Sequence, residues 1–194
     1  MPFVFQDCAS LMCFLNDVFE SFDCLCDIYD VYKVETVADS YVAAVGIVTG
    51  SILNNLHKEL SLQDLTVSSV SLRTANEELI EAAGDNTKSM VGFGKAILSA
   101  AQRVRQPILG TPTQVRIGIH TGACMSGIVG TKNLRFCLFG DTMNTAARMM
   151  QNGQPAVIQA SEIVSKLTPN EKWESKGKVE MKGKGCVETY RLRG

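Results

Sequence analysis

Asn144 and Arg148 stand four residues apart in the stretch Gly140-Asp141-Thr142-Met143-Asn144-Thr145-Ala146-Ala147-Arg148. On a helix that spacing puts both side chains on one face, where an amide and a guanidinium offer donors suited to a sugar and its phosphates. The same pair also fits the solvated face of an amphipathic helix. Asp39 falls between two apolar segments, where a carboxylate is ordinarily a turn-former that bonds the local backbone. Lys182-Gly183-Lys184-Gly185 is a basic, glycine-rich turn, read either as a solvated hairpin or as a phosphate cradle. His120 stands at the end of an apolar run with no acidic partner in view, which favours a structural role over acid or base work.

The elements that must position these groups follow from period and punctuation. Leu11, Leu15, Val18, Phe22, Leu25 and Tyr29 recur at the spacing of one helical face, and the acids Asp17, Glu20, Asp23 and Asp27 read as its solvated side. Tyr32–Glu35 and Tyr41–Val45 read as two strands around a tight turn at Ala38-Asp39. From Asn86 the helical period returns through Met90, Phe93, Ile97, Ala101 and Val104 until Pro107 stops it, and Gly92 and Gly94 require close packing there. Val115–His120 is a strand, Ile128 and Val129 continue the chain, and Phe136–Phe139 is a short strand broken by Gly140. Asp141 or Thr142 can cap the helix that follows. Ala156–Gln159, Ser161–Leu167 and a terminal hairpin turning at Gly183 and Gly185 complete an alternation of helices and strands, which argues for α+β or α/β. Gly50–Asp85 shows no sustained period and reads as a surface insertion.

A chain of 194 residues, 45% of them hydrophobic, suits one well-buried core, so a single domain over 1–194 is expected. The formal net charge of −1 supplies no field to draw in a polyanion, which argues against nucleic acid. A nucleoside triphosphate is still admissible, because placed cations and a metal ion set the local potential. The seven cysteines are odd in number, and Cys13, Cys24 and Cys26 fall within a helix as small core residues, which fits a reducing compartment. Tyr41–Val48 is too short to span a bilayer, and Asp7 interrupts an N-terminus that lacks a basic flank. A soluble, cytoplasmic piece with no membrane contact of its own is expected, whether from a soluble or a membrane-attached protein.

Four blocks, in order, resemble the catalytic domain of class III nucleotide cyclases, most closely the guanylyl cyclases: Val31–Asp39, Arg116–Gly122, Arg135–Arg148 and Lys182–Gly185. The resemblance implies an α+β, ferredoxin-like cyclase homology domain with a mostly antiparallel central sheet flanked by helices. It implies that two such domains, in a homodimer or a heterodimer with another cyclase domain, pair head to tail and share the substrate site. Asp39 would hold Mg2+ or Mn2+, Asn144 would orient the ribose, Arg148 would stabilise phosphate charge in the transition state, and Lys182 would bind the triphosphate. Glu35 and Cys137 would read the base. Guanine presents donors at N1 and N2, which an acceptor-only carboxylate matches, and a thiol can serve its O6 side as a weak donor. GTP is therefore the expected substrate and cyclic GMP the product.

Two departures stand against this pattern. The family normally has glycine where this chain has Ala38, so a positive φ there would cost about a kcal/mol. The family's first strand, which carries a metal-binding aspartate and leads into a glycine loop, has no clear counterpart. Phe3-Val4-Phe5-Gln6-Asp7 resembles only its end. The alternative is a non-catalytic cyclase-like partner that dimerises or binds nucleotide.

Overall fold

The computed structural model of the chain describes residues 8–47, 69–132, 135–181 and 183–193. Helix α1 (Cys8–Tyr29) buries Val18 and Phe22 from the expected apolar face and adds Cys26 to them. Its end is set locally: Asp30 adopts φ 52°, and the Val31 amide donates to the Cys26 carbonyl at 2.9 Å, satisfying one of the helix's last acceptors. Strands β1 (Tyr32–Val37) and β2 (Ser40–Ala44) then form an antiparallel hairpin with Asp39 in its two-residue loop.

Ala38, the other loop residue, has φ 54°. A Cβ in the left-handed region crowds the following carbonyl, which is why such turns favour glycine. Replacing it, Ala38→Gly, is expected to stabilise the fold by about 1 kcal/mol. The readout is a rise in the urea midpoint at unchanged slope; an unmoved or lowered midpoint would show that the turn absorbs the strain elsewhere.

Helix α2 runs over Ser69–Arg103, so it begins well before the expected Asn86 and takes in the later part of the segment read as an insertion. Once a packed downstream stretch has nucleated a helix, it can propagate through residues with no apolar period of their own. Phe93, Ile97 and Ala101 of α2 pack with Val18, Phe22 and Cys26 of α1 in one core cluster. The two helical glycines sit at close approaches. A Cβ on Gly92 would lie 2.9 Å from the Tyr29 ring, and one on Gly94 would lie 3.1 Å from the Ile158 side chain.

Strands β3 (Arg116–Ile119), β4 (Met125–Val129) and β5 (Arg135–Phe139) precede helix α3 (Asp141–Asn152); strand β6 (Val157–Ser161), helix α4 (Glu162–Leu167) and strands β7 (Trp173–Met181) and β8 (Gly185–Leu192) follow. The four-stranded sheet has the order β3-β6-β8-β7, with β3 parallel to β6 and the other pairs antiparallel. β4 and β5 form a separate antiparallel ribbon. Ile119, Ile158, Ala160 and Val164 cluster with Val91 of α2 as the second part of the core. α3 lies directly on β3: a Cβ at Gly118 would collide with the Ala146 carbonyl and the Met150 amide, so glycine is required there. No helix among the described residues is long and apolar enough to cross a membrane.

Candidate active site

The hairpin that carries Glu35 and Asp39 is tied to α1 by a polar cluster. Lys33 Nζ lies 2.7 Å from Asp23 Oδ2, the Tyr41 hydroxyl donates to Asp23 Oδ1 at 2.7 Å, and Cys26 Sγ is 3.1 Å from that hydroxyl. Asp23 thus departs from its expected place on a purely solvated face. Burial pushes its carboxyl up, but the hydrogen bonds from Lys33 and Tyr41 outweigh that and hold it below the usual range. Burial, then the bonds to Cys26 and Asp23, raises the Tyr41 hydroxyl, which therefore stays protonated as a donor.

The pairing of β1 with β2 shifts register between Lys33 and Glu35, a bulge of the kind that re-aims a neighbouring side chain. Beyond it, the Tyr32 ring meets Phe136 of β5 edge-on with centroids 5.3 Å apart. The strand bearing Glu35 and the strand bearing Cys137 are therefore in contact within one chain.

α3 enters the same region through contacts that replace the expected cap. Its N-cap is Gly140, at φ 143°, and no side chain caps the helix. Asp141 instead forms an ion pair with Lys184 on the terminal hairpin, and Thr142 Oγ1 donates to the Ala123 carbonyl at 2.6 Å. Both lie just inside the helix and are engaged elsewhere. In the sequence Lys184 figures only as part of the basic turn, with no role of its own; Lys182, expected to bind the triphosphate, lies outside the described residues, as does Asp7.

An open cleft of about 2740 Å³ gathers Glu35 and Asp39 from the hairpin, His120 from the end of β3, and Thr142 and Asn144 from α3. Asn144 is exposed, and Arg148, one turn further along, is half-buried; neither Arg148 nor Cys137 is among the cleft's lining residues, although Leu138, next to Cys137, is. Three of the expected site residues thus border one space. Among the described residues no three histidine, cysteine, aspartate or glutamate side chains group as metal ligands.

His120 has a hydroxyl partner: its Nδ1 is 2.7 Å from Ser161 Oγ. Burial first, then the Lys184 ammonium, pushes the imidazole below its usual range, against the opposite pull of Asp141. The folded chain keeps His120 neutral where the unfolded chain takes up a proton near pH 6.5, so its stability is full above about that value and declines as pH falls toward the folded pKa. Between pH 7 and 5 the melting temperature of the wild type is expected to fall more steeply than that of His120→Gln. Equal slopes would remove His120 as the cause.

The fold and this cleft define a nucleotide cyclase catalytic domain. The family model for the adenylate and guanylate cyclase catalytic domain matches residues 4–194, and the chain belongs to that family. It is 35% identical over 180 residues to guanylate cyclase soluble subunit beta-2 of Rattus norvegicus, which covers 92% of this chain and 22% of that protein. The chain therefore spans about a fifth of that relative's length. Among solved structures, the guanylate cyclase domain of RhGC from Catenaria anguillulae in complex with GTP superposes with a TM-score of 0.74 at 23% identity, over 97% of this chain and 86% of that one. The catalytic core of a rhodopsin-guanylyl cyclase with converted specificity, in complex with ATPalphaS, superposes at 0.73 and 22% identity over 97% and 85%.

Proposed function

We propose that this chain is a guanylyl cyclase catalytic domain, in which the ribose 3′-oxygen of GTP attacks the α-phosphorus and pyrophosphate leaves, yielding cyclic GMP. The observation that carries this reading is the convergence of Glu35, Asp39 and Asn144 on one cleft from two separate parts of the chain. Glu35 accepts from guanine N1 and N2, with Cys137 beside O6; Asn144 orients the ribose; Arg148 meets the phosphate charge that grows in the transition state; and Lys182 holds the triphosphate. Cyclase domains of this family generally use divalent metal ions, here Mg2+ or Mn2+, with Asp39 as a ligand. Ala38, at φ 54° beside Asp39 where the family normally has glycine, favours a second reading, a cyclase-like partner that binds nucleotide without turning it over. In either case the domain works in the cytoplasm.

The site is shared between two copies, or with another cyclase domain, each of which supplies part of it. The β4–β5 ribbon supports pairing, since it leaves Met125 73% and Ile128 70% exposed, with Val129 and Phe139 beside them. Sedimentation at micromolar concentration is expected to give a dimer, and GTP binding is expected to rise with the dimer fraction. A chain that stays monomeric at high concentration and binds no GTP would sink the shared-site reading.

A further inference from the structure

Asp141 opens α3, and the helical period puts Asn144 and Arg148 after it on the same face. A carboxylate therefore heads the row of side chains assigned to ribose and phosphate. Thr142 and Asn144, which follow it in the first turn, line the cleft, and the Asp141 side chain is itself 71% exposed. An anion in that place repels a triphosphate unless a cation cancels it. Lys184 does so, from the other end of the chain. Met181 of β7 pairs with Gly185 of β8, so Lys184 stands in the turn between those strands, where Gly183 at φ 82° and Gly185 at φ 68° supply the backbone that presents it. Its side chain is held against the protein, only 24% exposed. A pair with so open a carboxylate adds little to stability. Its field does reach the cleft, because the lining residue His120 feels both partners, with opposite signs.

We infer that Lys184 is a positioning residue for the triphosphate that acts through Asp141: it cancels the carboxylate charge at the head of the Asn144–Arg148 face and pins the terminal turn to α3, without touching the phosphates itself. The inference rests on the reading of the cleft as a GTP site. An ammonium committed to Asp141 makes the two groups neutral as a unit, so an incoming phosphate responds to the sum of their charges. Lys184→Met leaves one uncompensated negative charge, Asp141→Asn leaves one positive charge, and the double variant restores neutrality. Neither direct phosphate contact nor a purely structural role gives that order of effects.

The test measures binding of GTP, GMP and guanosine to the full chain at low and at moderate salt, for the wild type, both single variants and the double variant. At low salt Lys184→Met is expected to weaken GTP about tenfold and guanosine less than about twofold, with GMP between them, and Asp141→Asn to tighten GTP a few-fold. The double variant is expected to return to within about threefold of the wild type, and added salt to shrink all of these differences. The pair is read without nucleotide by following the His120 imidazole through its titration by NMR: the midpoint is expected to rise in Lys184→Met and fall in Asp141→Asn. A double variant as weak as Lys184→Met overturns the inference in favour of direct contact between Lys184 and phosphate. Equal losses for GTP and guanosine overturn it in favour of a structural role, and weaker GTP binding in Asp141→Asn shows that the carboxylate serves the ligand itself. A His120 midpoint that neither single substitution moves removes the ion pair and leaves the reading of the cleft standing. A wild type with no affinity for GTP sinks that reading, and this inference with it.

Discussion

Supplied with GTP and excess manganese, this chain is expected to form cyclic GMP at least about a hundredfold more slowly than a cyclase domain with both metal-binding carboxylates in place, while still binding GTP. Two metal ions activate an attacking oxygen and neutralise a leaving pyrophosphate, and each needs its own anchoring groups. Asp39 is the one carboxylate proposed here as a ligand, and among the described residues no group of three potential ligands is found. A cation held by one carboxylate plus substrate phosphates sits loosely, and misplacement by about 1 Å costs on the order of a hundredfold in rate. Its anchor is also on the Ala38-Asp39 loop, where a positive φ strains the turn. The measurement is cyclic GMP formation beside GTP binding, for the chain and for Asp7→Ala. Robust turnover that vanishes in Asp7→Ala would overturn the expectation and make Asp7 the second ligand. Robust turnover that survives would mean that another acid, or none, completes the site.

In the double variant Glu35→Lys with Cys137→Asp, nucleotide preference is expected to move from GTP toward ATP by tenfold to a few hundredfold. Glu35 is exposed in the single chain; once nucleotide and the partner domain cover it, a carboxylate left facing adenine N1, an acceptor, costs about 1 to 3 kcal/mol, and reversing the donors and acceptors reverses which base bears that cost. Glu35 borders the cleft, and the Tyr32–Phe136 contact brings its strand against the one that carries Cys137. Competition binding of the two nucleotides to wild type, each single variant and the double variant reads the result directly. An unchanged preference would place the base elsewhere in the cleft.

Much of the local structure was legible because the forces that set it act between residues near in sequence. The four-and-three spacing of α1, the hairpin around Ala38-Asp39 and the apolar run ending at Gly140 each announce an element. The strain at Ala38 was legible too, since a two-residue hairpin loop leaves few backbone options. The start of α2 at Ser69 was not, because a helix propagated from a packed segment need carry no period of its own.

By itself the sequence determined the family, through four ordered blocks, and the residue types able to hold a nucleotide. Tertiary structure alone decided which of them share a space. Asp23 anchors the hairpin through Lys33 and Tyr41, and Lys184 takes Asp141 away from any cap, because residues far apart in the chain come within bonding distance only after the core forms. Gly118 admits α3 against β3, and through that approach Asn144 reaches the cleft that Glu35 and Asp39 enter from the hairpin. Contacts across such separations leave no period in a sequence, since each partner meets its own local requirements equally well without the other.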